Sequence, residues 1–209
     1  MATRAYKPVL SGFIDADAAA SDAGALLAAQ GFSPSDANFR AELDAMSAWR
    51  FTAPLSPDMA AALEGRKIDF DELAAYTRRV SSTNWQNTRT LIEGVGGVMV
   101  PLDDTHTVRD WIAASDLPCV LVAGSYLGSL SHTLTALAAL TQVGVQVAVI
   151  VVNETVPSTV PLTRTVESLM RHAGGHTIIA IERENPAPGI AQLAAHLESR
   201  PVYTARQPD

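Results

Sequence analysis

The chain has 209 residues, is 47% hydrophobic and 18% charged, and carries a net charge of −7 from 15 Lys+Arg against 22 Asp+Glu. This much apolar material excludes a disordered chain. The absence of a Lys/Arg run leaves no footprint for nucleic-acid phosphates. A single cysteine, Cys119, excludes an internal disulfide and a cysteine-based zinc site and fits a reducing cytoplasm. The longest apolar runs, such as Val147–Val152, fall well short of the ~18–20 residues of a membrane-spanning helix. The first ten residues lack the apolar core of a secretory signal, so neither membrane nor export is expected.

Short β-rich runs alternate with Ala/Leu-rich stretches, which predicts a parallel α/β sheet in one domain over 1–209. A strand is expected over Arg4–Leu10, ended by Ser11-Gly12. A helix over about Asp17–Gln30 follows, containing Ser21, Asp22 and Ala23 and stopped by Gly31. Ser56 reads as an N-cap, with Pro57 at the first position of a short helix over Met59–Leu63. Asp69 caps a helix to about Val80, with Glu72 three residues on. Thr88–Ile92 reads as a strand, Val98–Pro101 as its extended continuation after a glycine-rich segment, and Val108–Ser115 as a helix. Pro118–Ala123 and Val147–Val152 read as strands buried on both faces. Helices over Ser129–Gln142, Thr163–His172 and Ile190–Ser199 and a strand over Thr177–Ile181 complete about five parallel strands.

Ligands in such sheets bind beyond the carboxyl ends of strands. Lys7, Ser11, Glu93, Gly94, Gly124, Ser125 and Asn153 all fall there. Glu93-Gly94-Val95-Gly96-Gly97 places a carboxylate suited to a cation beside glycines that let backbone N–H groups approach a ligand. It equally suits a plain turn. Lys7 is one of only two lysines and is a point-charge partner for phosphate or carboxylate, or else a snorkelling surface lysine. Asp22 is a second carboxylate for the cation, or a charge complementing its helix dipole. Leu127-Gly128-Ser129-Leu130-Ser131-His132 opens a helix whose free N–H groups suit an anion, or are simply capped by Ser129 or Ser131. His172 and His176 have the spacing of a metal pair, but Gly174-Gly175 would break the helix that spacing needs. The chain contains no G-x-x-x-x-G-K-S/T loop and no G-x-S-x-G nucleophile elbow.

Tyr6-Lys7-Pro8-Val9-Leu10-Ser11-Gly12, Ser21-Asp22-Ala23, Ala53–Pro57, Glu93–Leu102, Leu117–Ala123, Leu127–His132 and Val152-Asn153-Glu154 occur in one order. That ordered set resembles dethiobiotin synthetase, a biotin-pathway family of the P-loop NTPase class, from residue 4 to about 187. The resemblance implies a three-layer parallel sheet of the P-loop NTPase type. The family's first unit, a strand, a Gly-Thr-Asp-Thr-x-Val-Gly-Lys-Thr loop and a helix, would be missing here, since that pattern precedes Tyr-Lys-Pro. Such a chain is expected to be poorly soluble or loosely packed, and lack of the loop weighs against turnover by this polypeptide alone. The resemblance also implies the activity: ATP- and Mg²⁺-dependent closure of the ureido ring of dethiobiotin from 7,8-diaminononanoate and CO₂, in a homodimer with substrate at the interface.

By matching position, Lys7 would hold the carbamate and transferred phosphoryl, and Ser11 would contact the same region. Asp22 and Glu93 would bind Mg²⁺ in the nucleotide site. The backbone of Gly94, Val95, Gly96 and Gly97 would face the diamine. Leu127, Gly128, Ser129, Leu130 and Ser131 of the partner subunit would hold the substrate carboxylate. Asn153 would recognise adenine, with Ala180, Glu182 and Asn185 beside it. Ser131 stands where many members have Asn. Thr165 lies near a position some fill with Tyr, and Ala180 replaces a common Pro. Two other classes compete: a non-catalytic homologue that keeps the fold as a scaffold, and a ligase or amidotransferase of cobyrinate-synthase type, for whose glutaminase domain this chain has no room.

Overall fold

The computed structural model describes residues 2–82 and 88–200. The chain divides into two compact units at Ser115–Asp116.

A proline decides the layout of the first unit. Pro8 has no N–H to give to a ladder, and the run expected as one strand over Arg4–Leu10 is two strands in different sheets. These are β1 (Ala2–Tyr6) and β2 (Val9–Ser11). β2 pairs in parallel with β3 (Trp49–Phe51), and β1 pairs in parallel with β4 (Thr88–Ile92), from Ala2 opposite Thr88 to Tyr6 opposite Ile92. The fully buried Ser47 hydroxyl donates to the Lys7 carbonyl (2.6 Å), and the Trp49 N–H donates to the Pro8 carbonyl (2.9 Å). The break at Lys7-Pro8 therefore leaves no carbonyl stranded. On β1, the Gln30 carboxamide takes the Ala5 N–H (3.1 Å) and gives an N–H to the Ala5 carbonyl (3.3 Å), as a neighbouring strand would.

The alternation of β2 sorts two cores. Val9 packs with Phe51, Leu73, Leu102 and Trp111, and Leu10 packs with Phe13, Leu27, Leu43 and Met46. The second core contains α1 (Asp22–Ala29) and α2 (Phe39–Met46); the first contains α3 (Pro57–Leu63), α4 (Phe70–Ser82) and α5 (Val108–Ser115). The helix expected from Asp17 is a 3₁₀ turn over Asp15–Ala20, then α1. Ser21 lies between them in an extended conformation and accepts the Gly24 N–H (3.1 Å), so it caps the helix rather than sitting inside it. Val98–Pro101 is a turn, not an extended segment. The Val100 N–H donates to the Gly97 carbonyl (3.0 Å), and Pro101 bridges Thr107 in antiparallel fashion.

In the second unit β5 (Cys119–Gly124), β6 (Val147–Asn153) and β7 (Ile178–Ile181) form one parallel sheet in that order. It is connected through α6 (Ser129–Gln142) and α7 (Leu162–His172) and followed by α8 (Ala187–Glu198). β6 is buried from Val147 to Val152. Val149 and Val151 meet Ile179 and Leu193 of α8 on one face. α6 and α7 contact the strands and each other, which leaves them the face of Ile150 and Val152. Burying each such side chain contributes about 1.5–3 kcal/mol. The fold is thus α/β with every strand pair parallel, and its seven described strands replace the expected five because Lys7-Pro8 splits one and β3 was not anticipated. No helix among the described residues is long and apolar enough to cross a membrane.

Candidate active site

The register of β1 and β4 builds the centre. Tyr6 is opposite Ile92, and the Glu93 N–H donates to the Tyr6 carbonyl (2.8 Å), so Lys7 and Glu93 leave the sheet side by side at its carboxyl end. The Lys7 Nζ donates to Glu93 Oε1 at 2.6 Å and to the Gly94 carbonyl at 3.2 Å, and lies 3.5 Å from Asp22 Oδ2. Asp22 reaches it from the first turn of α1, where it also complements the helix dipole. The lysine side chain is 7% exposed, whereas those of Glu93 and Asp22 are 54% and 68% exposed. A buried ammonium thus sits beneath two carboxylates that face solvent. The snorkelling alternative for Lys7 is thereby removed.

Two carboxylates converging on one point, with no thiolate or imidazole among them, suit a hard cation such as Mg²⁺. That ion keeps waters and takes its remaining ligands from substrate phosphates. Among the described residues no three His, Cys, Asp or Glu come together as a metal cluster.

The glycine segment is folded back on the chain. Gly96 has φ +63°, and a Cβ there would lie 2.9 Å from Val100 Cγ2, so glycine is required. The Gly94 and Gly97 carbonyls already accept from Lys7 and Val100, while Val95 packs against the Val9 core. Ser11 ends β2 with its Oγ buried and without a hydrogen-bond partner, so it is not joined to the lysine cluster. Gly12, at φ +73°, then turns the chain.

The second unit carries the other expected residues at the carboxyl end of its own sheet. Asn153 ends β6, exposed, opposite Gly124 of β5. Ala180 lies in β7 opposite Val152, and its carbonyl oxygen is where a Cβ on Gly189 would collide. Glu182 and Asn185 follow on the exposed loop. Gly128, at φ +96°, is the N-cap of α6, so neither Ser129 nor Ser131 caps it. Ser129 is 1% exposed with an unpartnered Oγ, Ser131 is exposed, Leu130 is half-buried and Leu127 is the most exposed large apolar residue described.

Sequence reasoning missed Ser47, which fixes the Lys7 backbone, and Thr155, which binds Ser125. Neither has a local motif. The spacing Phe39, Leu43, Met46 is the signal that would have found α2 and drawn attention to Ser47. Cys119 is not a nucleophile candidate, since burial pushes its thiol up to about 11.

In architecture the chain is α/β with parallel strands, a lysine and a carboxylate lying just beyond β1 and β4 and a second carboxylate on α1, and a family model described as an AAA domain matches residues 35–196. An ATP-dependent dethiobiotin synthetase BioD of Acidiphilium cryptum is 52% identical over 171 residues, 82% of this chain and 74% of that protein. Proteins of the same name from Methylobacterium nodulans and Phenylobacterium zucineum are 43% and 41% identical. Those alignments cover 92% and 94% of this chain and 85% and 82% of the relatives. The chain belongs to the dethiobiotin synthetase family.

Proposed function

We propose that the protein closes the ureido ring of dethiobiotin from 7,8-diaminononanoate, CO₂ and ATP, in the cytoplasm, on a three-layer sheet of the P-loop NTPase type. The observation that carries this is the Lys7 ammonium held between Glu93 and Asp22 at the carboxyl ends of parallel strands. One amine takes up CO₂ and loses a proton to give a carbamate. The γ-phosphoryl of ATP passes to a carbamate oxygen and ADP leaves. The second amine attacks the carbonyl carbon, phosphate departs and the ring closes.

Phosphoryl transfer is mostly positioning and charge neutralisation. Lys7, fixed by Glu93 and the Gly94 carbonyl, presents its ammonium to the carbamate and the phosphoryl in flight. Asp22 and Glu93 are the residues that would hold Mg²⁺, which would supply positive charge to offset that of the phosphates. Ser11 is assigned to the same substrate region by its match to the family motif, and the backbone of Gly94, Val95, Gly96 and Gly97 to the diamine. Asn153, with Ala180, Glu182 and Asn185 near it, recognises adenine. Leu127, Gly128, Ser129, Leu130 and Ser131 of the partner subunit receive the substrate carboxylate in a homodimer.

Incubation with the diamine, isotopic bicarbonate, ATP and Mg²⁺ tests the proposal. It predicts label in dethiobiotin with one ADP and one phosphate per ring. Neither product nor nucleotide binding would make the chain a non-catalytic homologue.

A further inference from the structure

Two loops far apart in sequence are laced together at the carboxyl end of the second unit's sheet. β5 and β6 are parallel neighbours, with Gly124 opposite Asn153. Just beyond them the Ser125 N–H donates to Thr155 Oγ1 (3.1 Å), and the Thr155 N–H donates to Ser125 Oγ (3.0 Å). Each residue's side chain thus satisfies the other's backbone. The Ser158 hydroxyl adds a bond to the Ser125 carbonyl (2.6 Å). Ser125 is fully buried. A Cβ on Gly124 would lie 2.7 Å from Thr155 Oγ1, so the approach needs glycine there.

The preceding residue does the same on the opposite side. The Glu154 carboxylate accepts the Arg183 N–H (2.9 Å), and the Glu154 N–H donates to the Ile181 carbonyl (2.9 Å). Consecutive residues after β6 therefore hold the loops that follow β5 and β7. The first leads into the N-terminus of α6. The second carries Glu182 and Asn185.

We propose that Thr155 is a positioning residue that makes the entry to α6 and the segment around Asn153 order as one body. The inference rests on the nucleotide role assigned to Asn153 above. Ordering one segment removes conformational freedom from the other, so a nucleotide at Asn153 prepares residues 125–131 for their own ligand at a smaller entropic cost. Neither Ser125 nor Thr155 need touch a reacting atom for this.

Hydrogen exchange of the full chain, with and without ADP, tests it in the wild type, Thr155→Val and Thr155→Ser. Valine keeps the volume and removes the acceptor of the Ser125 N–H. Serine keeps the acceptor. In the wild type ADP should slow exchange over both 153–158 and 125–131. In Thr155→Val the ADP-induced protection of 125–131 should fall about tenfold, the weight of one hydrogen bond, and Thr155→Ser should restore it.

Protection of 153–158 alone in the wild type, or equal protection of 125–131 in Thr155→Val, overturns the proposal while leaving the nucleotide role of Asn153 standing. Protection of neither segment removes that role, and the positioning role with it. Should Thr155→Val fail to fold, Ser125→Ala cuts the reciprocal bond and is held to the same outcomes.

Discussion

Lys7 shows how one side chain acquires a role through its surroundings. A lysine on a β-strand end usually reaches for solvent. Here the strand break at Pro8, the Ser47 bond to its carbonyl and two carboxylates from separate elements keep its ammonium inside. Lys7→Ala should lower kcat about a hundredfold or more while the KM for ATP stays within about threefold, because the charge acts on the transferring group. Steady-state kinetics with ATP varied checks this; an effect confined to ATP affinity would contradict it.

Asp103 is held as a carboxylate by its own loop. Burial on its own raises its pKa, but N–H groups of Thr105 and His106 and the side chains of both hold the carboxyl down at about 2. The folded state therefore keeps its carboxylate where the unfolded chain takes up a proton. The stabilisation is present at neutral pH and is lost as pH falls from about 4 to 2. Asp103→Asn should lower stability by about 1–2 kcal/mol at pH 7, and the difference should shrink across that window. Urea unfolding at pH 7, 4 and 2.5 measures it.

At the scale of elements, α4 joins its neighbours through two polar contacts inside an apolar layer. The Tyr76 hydroxyl donates to carbonyls at the end of α2, and burial pushes its pKa up. The Trp111 indole N–H donates to Thr77 Oγ1 (2.8 Å), which in turn donates to the Leu73 carbonyl. Thr77→Val strands the buried indole N–H and should cost about 1–3 kcal/mol in denaturant unfolding, whereas Thr77→Ser should cost much less.

How legible each element was depended on whether its cause was local. Asp69 accepts the Glu72 N–H (3.0 Å) as its spacing implied, and β6 is buried from Val147 to Val152 as its apolar run implied, whereas β5, expected to be buried on both faces, leaves Val122 exposed. Ser56 sits at the expected N-cap, yet its hydroxyl has no partner. β3, three residues with Arg50 at its centre, offers too short an alternation to read. The split of β1 from β2 is set by pairing partners about 40 and 85 residues away, which no local pattern carries. Lys7, Asp22 and Glu93 were named from their residue types, but only the register of β1 on β4 and the Ser21 cap bring them to one point.

For the molecule as a whole, strand edges are the exposed liability. Among the described residues β5 pairs on one side only, and Val122 is 59% exposed although its partner Val151 is buried. α8 covers the face of Val151 over β6 and β7 and leaves Val122 bare. An apolar residue on an unpaired strand invites association with another chain, and a charge there opposes it. Val122→Lys should raise the temperature at which the protein scatters light on heating while changing unfolding free energy by less than about 1 kcal/mol. An unchanged scattering onset would remove this edge as the site of association.

Glu93, converging with Asp22 on Lys7, is proposed to belong to the centre where the ring is closed. Glu93→Gln is its sharpest test, because glutamine keeps the shape and still accepts the lysine N–H while losing the charge. The measurement is dethiobiotin formation at saturating ATP, diamine and Mg²⁺, with thermal unfolding of the same sample alongside. Turnover should fall by about a hundredfold to a thousandfold with the fold intact. Near-normal turnover in a folded Glu93→Gln protein would contradict it and place the chemistry elsewhere in the chain.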